Sequence, residues 1–471
     1  MELPSLKEAR KRTNEKVQRI DYKLDDLYKN IGEGLTYHVK TYGCQMNEHD
    51  SENICGLLES IGFTYNPDME SADLIILNTC SIRENAHNKA FGMLGRLKHL
   101  KESRPNVMVA LAGCMAQEEV VIQEVLEKYR HVNFVFGTHN LYDLPRLIYE
   151  AKNNPKTNVC VKSIEGELVE GLPVTRVNNF KAYVNIIYGC DKFCTYCIVP
   201  YTRGKQRSRK MEDILEEVND LYKNGCQEVT LLGQNVNAYG KDLDFGYDLA
   251  DLLENVAKTG IPRVRFITSH PWDFTDKMVE VISKYPNICK YVHLPLQSGS
   301  NRILKLMGRR YTKEDYKILF DKLKKIKGIS LTTDIIVGFP GETEDDFNDT
   351  LEMVKYCKYD SAFTFIYSPR VGTPAAKLME DDNTPLSIKE ERLYKLNDLI
   401  NDYSLKSNEK MVGKTYPVLV EGESTKDGMI YGYTETNKLI NFVGDKELTG
   451  KIVNVKITSA KSFSLDGELI E

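Results

Sequence analysis

One decapeptide constrains this chain more than any other stretch: Tyr188-Gly-Cys190-Asp-Lys-Phe-Cys194-Thr-Tyr-Cys197. It follows the apolar run Ala182-Tyr-Val-Asn-Ile-Ile-Tyr188, which reads as a buried strand. A strand feeding a tight Gly-Cys loop sets three thiols on one short turn, where they can converge on a single inorganic centre. Disulfides cannot explain that arrangement. Zinc normally closes with four ligands and favours cysteine pairs completed by a second cysteine or histidine pair, so structural zinc is the weaker reading. Three cysteines suit a four-iron cluster better, with one iron left open.

The Cys-x3-Cys-x2-Cys spacing, with the aromatic Tyr196 before the last cysteine, resembles the radical S-adenosylmethionine signature. The resemblance implies that the open iron chelates the amino and carboxylate groups of S-adenosylmethionine. The reduced cluster then passes an electron to the sulfonium, giving a 5′-deoxyadenosyl radical. Such a radical is needed only where the target C–H bond is too inert for a positioned acid or base.

At 471 residues the chain exceeds one ordinary core, so two to four domains are expected. Its 41% hydrophobic and 28% charged residues are those of an ordinary soluble protein. The first residues, Met1 to Arg12, hold no apolar stretch of signal-peptide type, and no run long enough to span a membrane occurs. No membrane partner and a cytoplasmic location are expected. Eleven scattered cysteines fit a reducing compartment in which thiolates serve metals. A net charge of −5 argues against a globally basic nucleic-acid binder but not against local basic patches.

Residues 1–33 form a charged extension that reads as helical or partly disordered. From 34 to 152 strand and helix patterns alternate. Thr36–Tyr42, Ala72–Asn78, Val107–Ala112 and Val132–Phe136 are of strand length, and Ser81 to Lys101 carries Ala90, Leu94, Leu97 and Leu100 at helical spacing. The fold class is therefore α/β, with an amino-terminal doubly wound parallel sheet. Cys44, Cys80 and Cys114 each fall just past the carboxyl end of one of the first three strands, the rim where open parallel sheets bind ligands. Singly, each could be a small hydrophobe at a turn. Three at one structural phase predict a second cluster. Cys55 lies on an apolar helical face, and Cys160, Cys226, Cys289 and Cys357 have no metal-like spacing, so these five read as structural.

Tyr42-Gly-Cys44-Gln-Met-Asn47, Asn78-Thr-Cys80-Ser-Ile-Arg-Glu-Asn85 and Ala112-Gly-Cys114-Met-Ala-Gln117 resemble the amino-terminal domain of the methylthiotransferases, a radical S-adenosylmethionine family. The details Gln45-Met46-Asn47 and Ser81-Ile82-Arg83 resemble the branch acting on isopentenylated adenosine in tRNA.

A boundary is expected near 153–180, at Asn153-Asn-Pro and the Gly-rich 165–173 stretch. From 175 to 411 the rhythm resumes. Strands Glu228–Leu232, Arg263–Thr268, Tyr291–Leu294, Thr332–Val337 and Ala362–Tyr367, with the strand before Cys190, fit a central partial (β/α)6 barrel whose active groups sit at the carboxyl ends. Gln234, Asn235, Ser269, Gln297 and Asp334 lie at or near those ends and, with Tyr196, are the candidates for S-adenosylmethionine contacts. Ordinary turn chemistry is the alternative for such residues.

Arg203-Gly-Lys-Gln-Arg-Ser-Arg-Lys210 follows the cluster loop, and Arg203, Lys205, Arg207 and Arg209 are candidate phosphate contacts; the plainer reading is a solvated face. In 412–471 short alternating strands at Tyr416–Val420, Gly428–Tyr433, Lys438–Val443, Val453–Ile457 and Ser462–Leu465 predict a small all-β barrel. It resembles the TRAM domain of tRNA-modifying enzymes, and by pattern alone it could equally bind protein.

Together the resemblances imply a tRNA methylthiotransferase that replaces the C2–H of N6-isopentenyladenosine next to the anticodon with a methylthio group. They imply two [4Fe-4S] clusters, one S-adenosylmethionine as radical source and another as methyl donor. Expected partners are tRNA, an electron donor of flavodoxin or ferredoxin type, and a sulfur source. The rival readings are the same chemistry on N6-threonylcarbamoyladenosine and a non-catalytic iron–sulfur RNA-binding protein.

Overall fold

The computed structural model describes residues 17–81, 84–154, 156–161, 167–426 and 428–470. Residues 1–16 of the extension, Ile82 and Arg83 of the Ser81-Ile82-Arg83 motif, and 162–166 of the expected boundary lie outside the described residues. Two units are distinguished. The first is Met1–Val177 with Tyr188–Phe193 and Cys197–Arg207; the second is Asn178–Ile187 with Cys194–Tyr196 and Ser208–Glu471.

In the first unit the chain alternates β1 (Thr36–Tyr42), α1 (Gln45–Ser60), β2 (Leu74–Thr79), α2 (Glu84–Ser103), β3 (Met108–Gly113), α3 (Glu119–Lys128), β4 (Phe134–Phe136), α4 (Leu144–Asn153) and β5 (Asn158–Cys160). All five strands pair in parallel in that order, and Thr64–Tyr65 adds a short edge strand beside β1. β2 and β3 are buried at every position because helices cover both faces. On β2, Ile75 and Leu77 pack with Leu94, Leu97 and Ile122. Leu74 and Ile76 pack on the other face with Ile54, Leu57, Leu147 and Ile148. This is the doubly wound sheet that the alternating pattern implies.

The extension departs from expectation. Gln18–Asp21 is a strand, paired in parallel with Glu167–Glu170. Tyr22, Leu24, Tyr28 and Ile31 pack against the core beneath α1 and α4. These four apolar side chains bury area that outweighs the charged composition around them.

In the second unit β6 (Lys181–Asn185), α5 (Met211–Lys223), β7 (Glu228–Leu232), α6 (Leu249–Lys258), β8 (Arg263–Phe266), α7 (Asp276–Lys284), β9 (Tyr291–His293), α8 (Lys313–Lys324), β10 (Ser330–Val337), α9 (Glu344–Cys357) and β11 (Ser361–Ile366) repeat strand and helix. The strands form two parallel three-stranded sheets, β8-β7-β6 and β9-β10-β11, with an isolated parallel bridge Val264↔Ile288. One apolar core joins them, including Val229, Val264, Val292, Ile335 and the helix residues Leu252, Ile282, Leu323 and Val354.

The helix α10 (Leu386–Glu409) leads into a closed five-stranded barrel of β12 (Thr415–Glu423), β13 (Met429–Thr434), β14 (Leu439–Val443), β15 (Ile452–Ala460) and β16 (Leu465–Leu469). The last strand was expected at Ser462–Leu465; the structure begins it at Leu465. Leu465 is the buried residue that anchors its register opposite Ile440 and Ala460. Among the described residues, no helix is long and apolar enough to cross a membrane.

Candidate cluster and cofactor sites

Register brings the first cysteine set together. Tyr42 pairs with Thr79, and Thr79 with Gly113, so Cys44, Cys80 and Cys114 all leave the sheet at the same rim. Cys44 caps α1, with the backbone amides of Met46 and Asn47 aimed at its sulfur. The Cys80 thiol donates to the same sulfur, and with the Arg203 charge these contacts hold Cys44 well below the usual thiol range despite burial. Burial pushes Cys114 up to about 11 even though Arg203 opposes it. Among the described residues, no group of three or more thiol, imidazole or carboxylate side chains is arranged to hold a single metal ion.

The glycines beside these cysteines allow close approach. A Cβ on Gly113, whose φ is +95°, would lie 2.3 Å from Asn78 Oδ1 and 2.4 Å from Thr79 O. One on Gly43 would lie 2.7 Å from Cys80 Cβ. Beneath them Asn47 Nδ2 donates to Asn78 Oδ1 at 3.2 Å and to Thr79 O at 3.1 Å, while Asn78 Nδ2 donates to Ser51 Oγ at 2.8 Å. Three thiols at one rim of the sheet, one of them capping α1, beside a buried cation and on a fixed polar floor, are a donor set that fits an iron–sulfur cluster.

The basic run after Cys197 is not a solvated face. Arg203 is 4% exposed; its Nε donates to Cys114 Sγ at 3.0 Å and its Nη2 to Asp50 Oδ2 at 2.5 Å. Arg207 is buried, with Nη1 donating to Glu167 O at 3.1 Å and its guanidinium against His139 Nδ1. Arg209 pairs with Glu217 at 2.7 Å and donates to Asn185 O at 2.9 Å. Lys205 and Lys210 are half-buried. The partners of the three arginines lie far off in sequence or on a helix face, which a local charge count does not register.

Within the first unit Gly189 has a φ of +71°, and a Cβ there would lie 2.1 Å from Lys205 O. The Cys190 amide donates to Gly204 O at 3.0 Å. Within the second unit Cys194 is buried, and the buried Arg309 approaches its Sγ at 3.6 Å. Arg309 Nε also donates to Tyr311 Oη at 3.1 Å and Nη2 to Pro295 O at 3.2 Å. Thr195 is fixed by bonds to Met307 O and Leu306 O and from the Ala375 amide. Tyr196 packs on the small cluster of Ile303, Met307, Phe339, Tyr367 and Ala375. Arg309 carries no motif signal and was not expected from the sequence.

At the carboxyl ends of β7, β8 and β9, the side-chain oxygens Gln234 Oε1, Asn235 Oδ1, Ser269 Oγ and Gln297 Oε1 are buried without a hydrogen-bond partner among the described residues. Buried polar atoms are normally satisfied, so four orphans along one line of strand ends mark a place for a polar ligand. Thr268 and Gln297 hold φ of 70° and 67°, sparsely populated conformations for such side chains, which cluster at binding sites. Asp334 is engaged by His293 Nε2 at 3.2 Å, and its backbone carbonyl accepts from the Gln297 amide at 2.8 Å. Amide, hydroxyl and carboxylate groups here fit the polar parts of S-adenosylmethionine.

Parallel strand–helix repeats that follow a three-cysteine loop in the chain, with polar groups at the carboxyl ends of the strands, are the pattern of a radical S-adenosylmethionine protein. Family models agree: residues 184–354 match the Radical SAM superfamily, 36–137 match the Uncharacterized protein family UPF0004, and 409–470 match the TRAM domain. The fold resembles that of the radical S-adenosylmethionine methyltransferase TsrM from Kitasatospora setae, with a TM-score of 0.52 at 12% identity, covering 73% of this chain and 75% of that one. Full-length relatives narrow the class. The tRNA-2-methylthio-N(6)-dimethylallyladenosine synthases of Staphylococcus epidermidis and Bacillus cytotoxicus are each 52% identical over 472 residues, covering 99% of this chain and 91% and 92% of theirs. That of Staphylococcus saprophyticus is 53% identical over 471 residues. The chain belongs to the tRNA-2-methylthio-N(6)-dimethylallyladenosine synthase family.

Proposed function

We propose that this protein converts N6-isopentenyladenosine next to the anticodon of tRNA to its 2-methylthio derivative. The observation that carries the reading is identity of 52–53% along 99% of the chain to synthases of that name, spanning both cysteine sets and the carboxy-terminal barrel. Cys190, Cys194 and Cys197 hold one [4Fe-4S] cluster, and Cys44, Cys80 and Cys114 hold a second. When bound, the first cluster and S-adenosylmethionine supply the radical chemistry that an unactivated C2–H bond demands, and the second carries the sulfur.

The chain's own residues bind and orient. Tyr196, Gln234, Asn235, Ser269, Gln297 and Asp334 receive S-adenosylmethionine, which satisfies the four orphaned oxygens at the strand ends. Lys205 of the basic run meets the tRNA phosphates, and the barrel of β12–β16 adds a nucleic-acid surface. An electron donor of flavodoxin or ferredoxin type and a sulfur source complete the system, which works in the cytoplasm.

The test is nucleoside mass spectrometry of tRNA from cells lacking the protein, with and without the gene restored. The expected result is loss of the 2-methylthio group from isopentenyladenosine alone, with recovery on complementation. Loss from threonylcarbamoyladenosine instead would move the activity to that base.

A further inference from the structure

Arg203 is a buried cation whose position is unusual for a residue in a basic run. Its Nε is 3.0 Å from Cys114 Sγ and its Nη2 is 2.5 Å from Asp50 Oδ2, with Asp50 only 3% exposed. A buried guanidinium needs a counter-charge, and Asp50 supplies one. The Nε–H goes to a sulfur instead. Cys44 is served by the helix N-terminus and by Cys80, while Cys114 takes a charged N–H donor from Arg203.

We propose that Arg203, paired with Asp50, is the positioning residue that sets the electron demand of the cluster on Cys44, Cys80 and Cys114. This rests on the reading that those three cysteines hold a cluster. A cationic N–H···S bond withdraws density from a ligand thiolate and stabilises the reduced, more negative cluster, so Arg203 raises its reduction potential. Asp50 opposes the same charge and lowers it. Arg203 also sits beside Gly204, whose carbonyl holds the Cys190 amide at 3.0 Å. One turn of backbone therefore carries both the clamp on a ligand of one cysteine set and an anchor for the other.

The test uses full-length protein in which Cys190, Cys194 and Cys197 are all alanine, so that only one cluster titrates. Iron and sulfide are counted after anaerobic reconstitution, and the midpoint is read by redox titration followed by electron paramagnetic resonance. In this background Arg203→Gln is expected to lower the ratio of reduced to oxidised cluster at fixed potential about tenfold, equivalent to about 59 mV for a one-electron couple. Asp50→Asn is expected to shift it the opposite way, and Arg203→Lys to recover part of the loss. Because Arg203→Gln leaves a buried carboxylate without its partner, Asp50→Asn/Arg203→Gln is compared with Asp50→Asn as well; the double variant is expected to lie lower. A purely structural role gives no opposed signs. A background protein that binds no iron overturns the cluster reading itself. Iron bound at about four per chain with coincident midpoints, or with shifts of one sign, overturns the role of Arg203 alone.

Discussion

Replacing Glu228 with alanine should release the carboxy-terminal barrel from the body of the second unit. Glu228 is 2% exposed and meets Arg265 Nε at 2.8 Å, Arg263 Nη1 at 3.6 Å and Lys181 Nζ at 3.9 Å. The same two arginines reach the barrel through backbone carbonyls. Arg263 donates to Tyr433 O and Pro417 O at 2.8 Å each, and Arg265 to Glu435 O at 2.9 Å and Thr434 O at 2.6 Å. Removing the carboxylate strands buried cations, which costs about 3–5 kcal/mol. Even the lower figure, about 3 kcal/mol, corresponds to roughly a hundredfold rise in local opening. The assay is amide hydrogen exchange, with β12–β16 expected to exchange about a hundredfold faster while β2 and β3 stay protected.

The pH dependence has a definite sign. Burial raises the Glu228 carboxyl, but Arg265, Lys181 and Arg263 together outweigh it and hold it below its ordinary value. Its stabilisation is therefore present above an unfolded value near 4.5 and fades as pH falls through the lower folded value. Glu228→Gln should remove that acid-side loss. Unchanged exchange in β12–β16 for Glu228→Ala would show that the Glu228 carboxylate does not hold the barrel.

Three further outcomes are expected at other sites. Gly113→Ala places a Cβ 2.3 Å from Asn78 Oδ1 in a left-handed backbone, so iron after reconstitution should drop from about eight to about four per chain with helix content preserved; full iron would contradict it. Lys205→Ala should reduce the magnitude of the log–log salt slope of tRNA binding by roughly 0.7–0.9, and an unchanged slope would remove Lys205 from the interface. Arg209→Ala, which leaves Glu217 without its partner, should lower the denaturation midpoint, read by circular dichroism, and leave the salt slope unchanged.

The cysteines at the rim of the first sheet were legible because their signal is local: each follows an apolar strand by one or two residues, and parallel register does the rest. The polar strand ends were legible for the same reason. The basic run was not, because the partners of Arg203 are Asp50 and Cys114, brought to it only by the tertiary fold. Arg309 escaped notice because one arginine after a helix carries no periodicity, and only its burial against Cys194 gives it meaning. The strand at Gln18–Asp21 was hidden by charge, since its pairing partner Glu167–Glu170 is remote in sequence.

The division of labour between the two cysteine sets is tested most directly by measuring 5′-deoxyadenosine and methylthio-nucleoside together, with cluster occupancy determined for each variant. Cys44→Ala should still produce 5′-deoxyadenosine under strong reduction and form no methylthio product. Cys194→Ala should abolish both. Full methylthio product from Cys44→Ala, or S-adenosylmethionine cleavage by Cys194→Ala, would contradict the account.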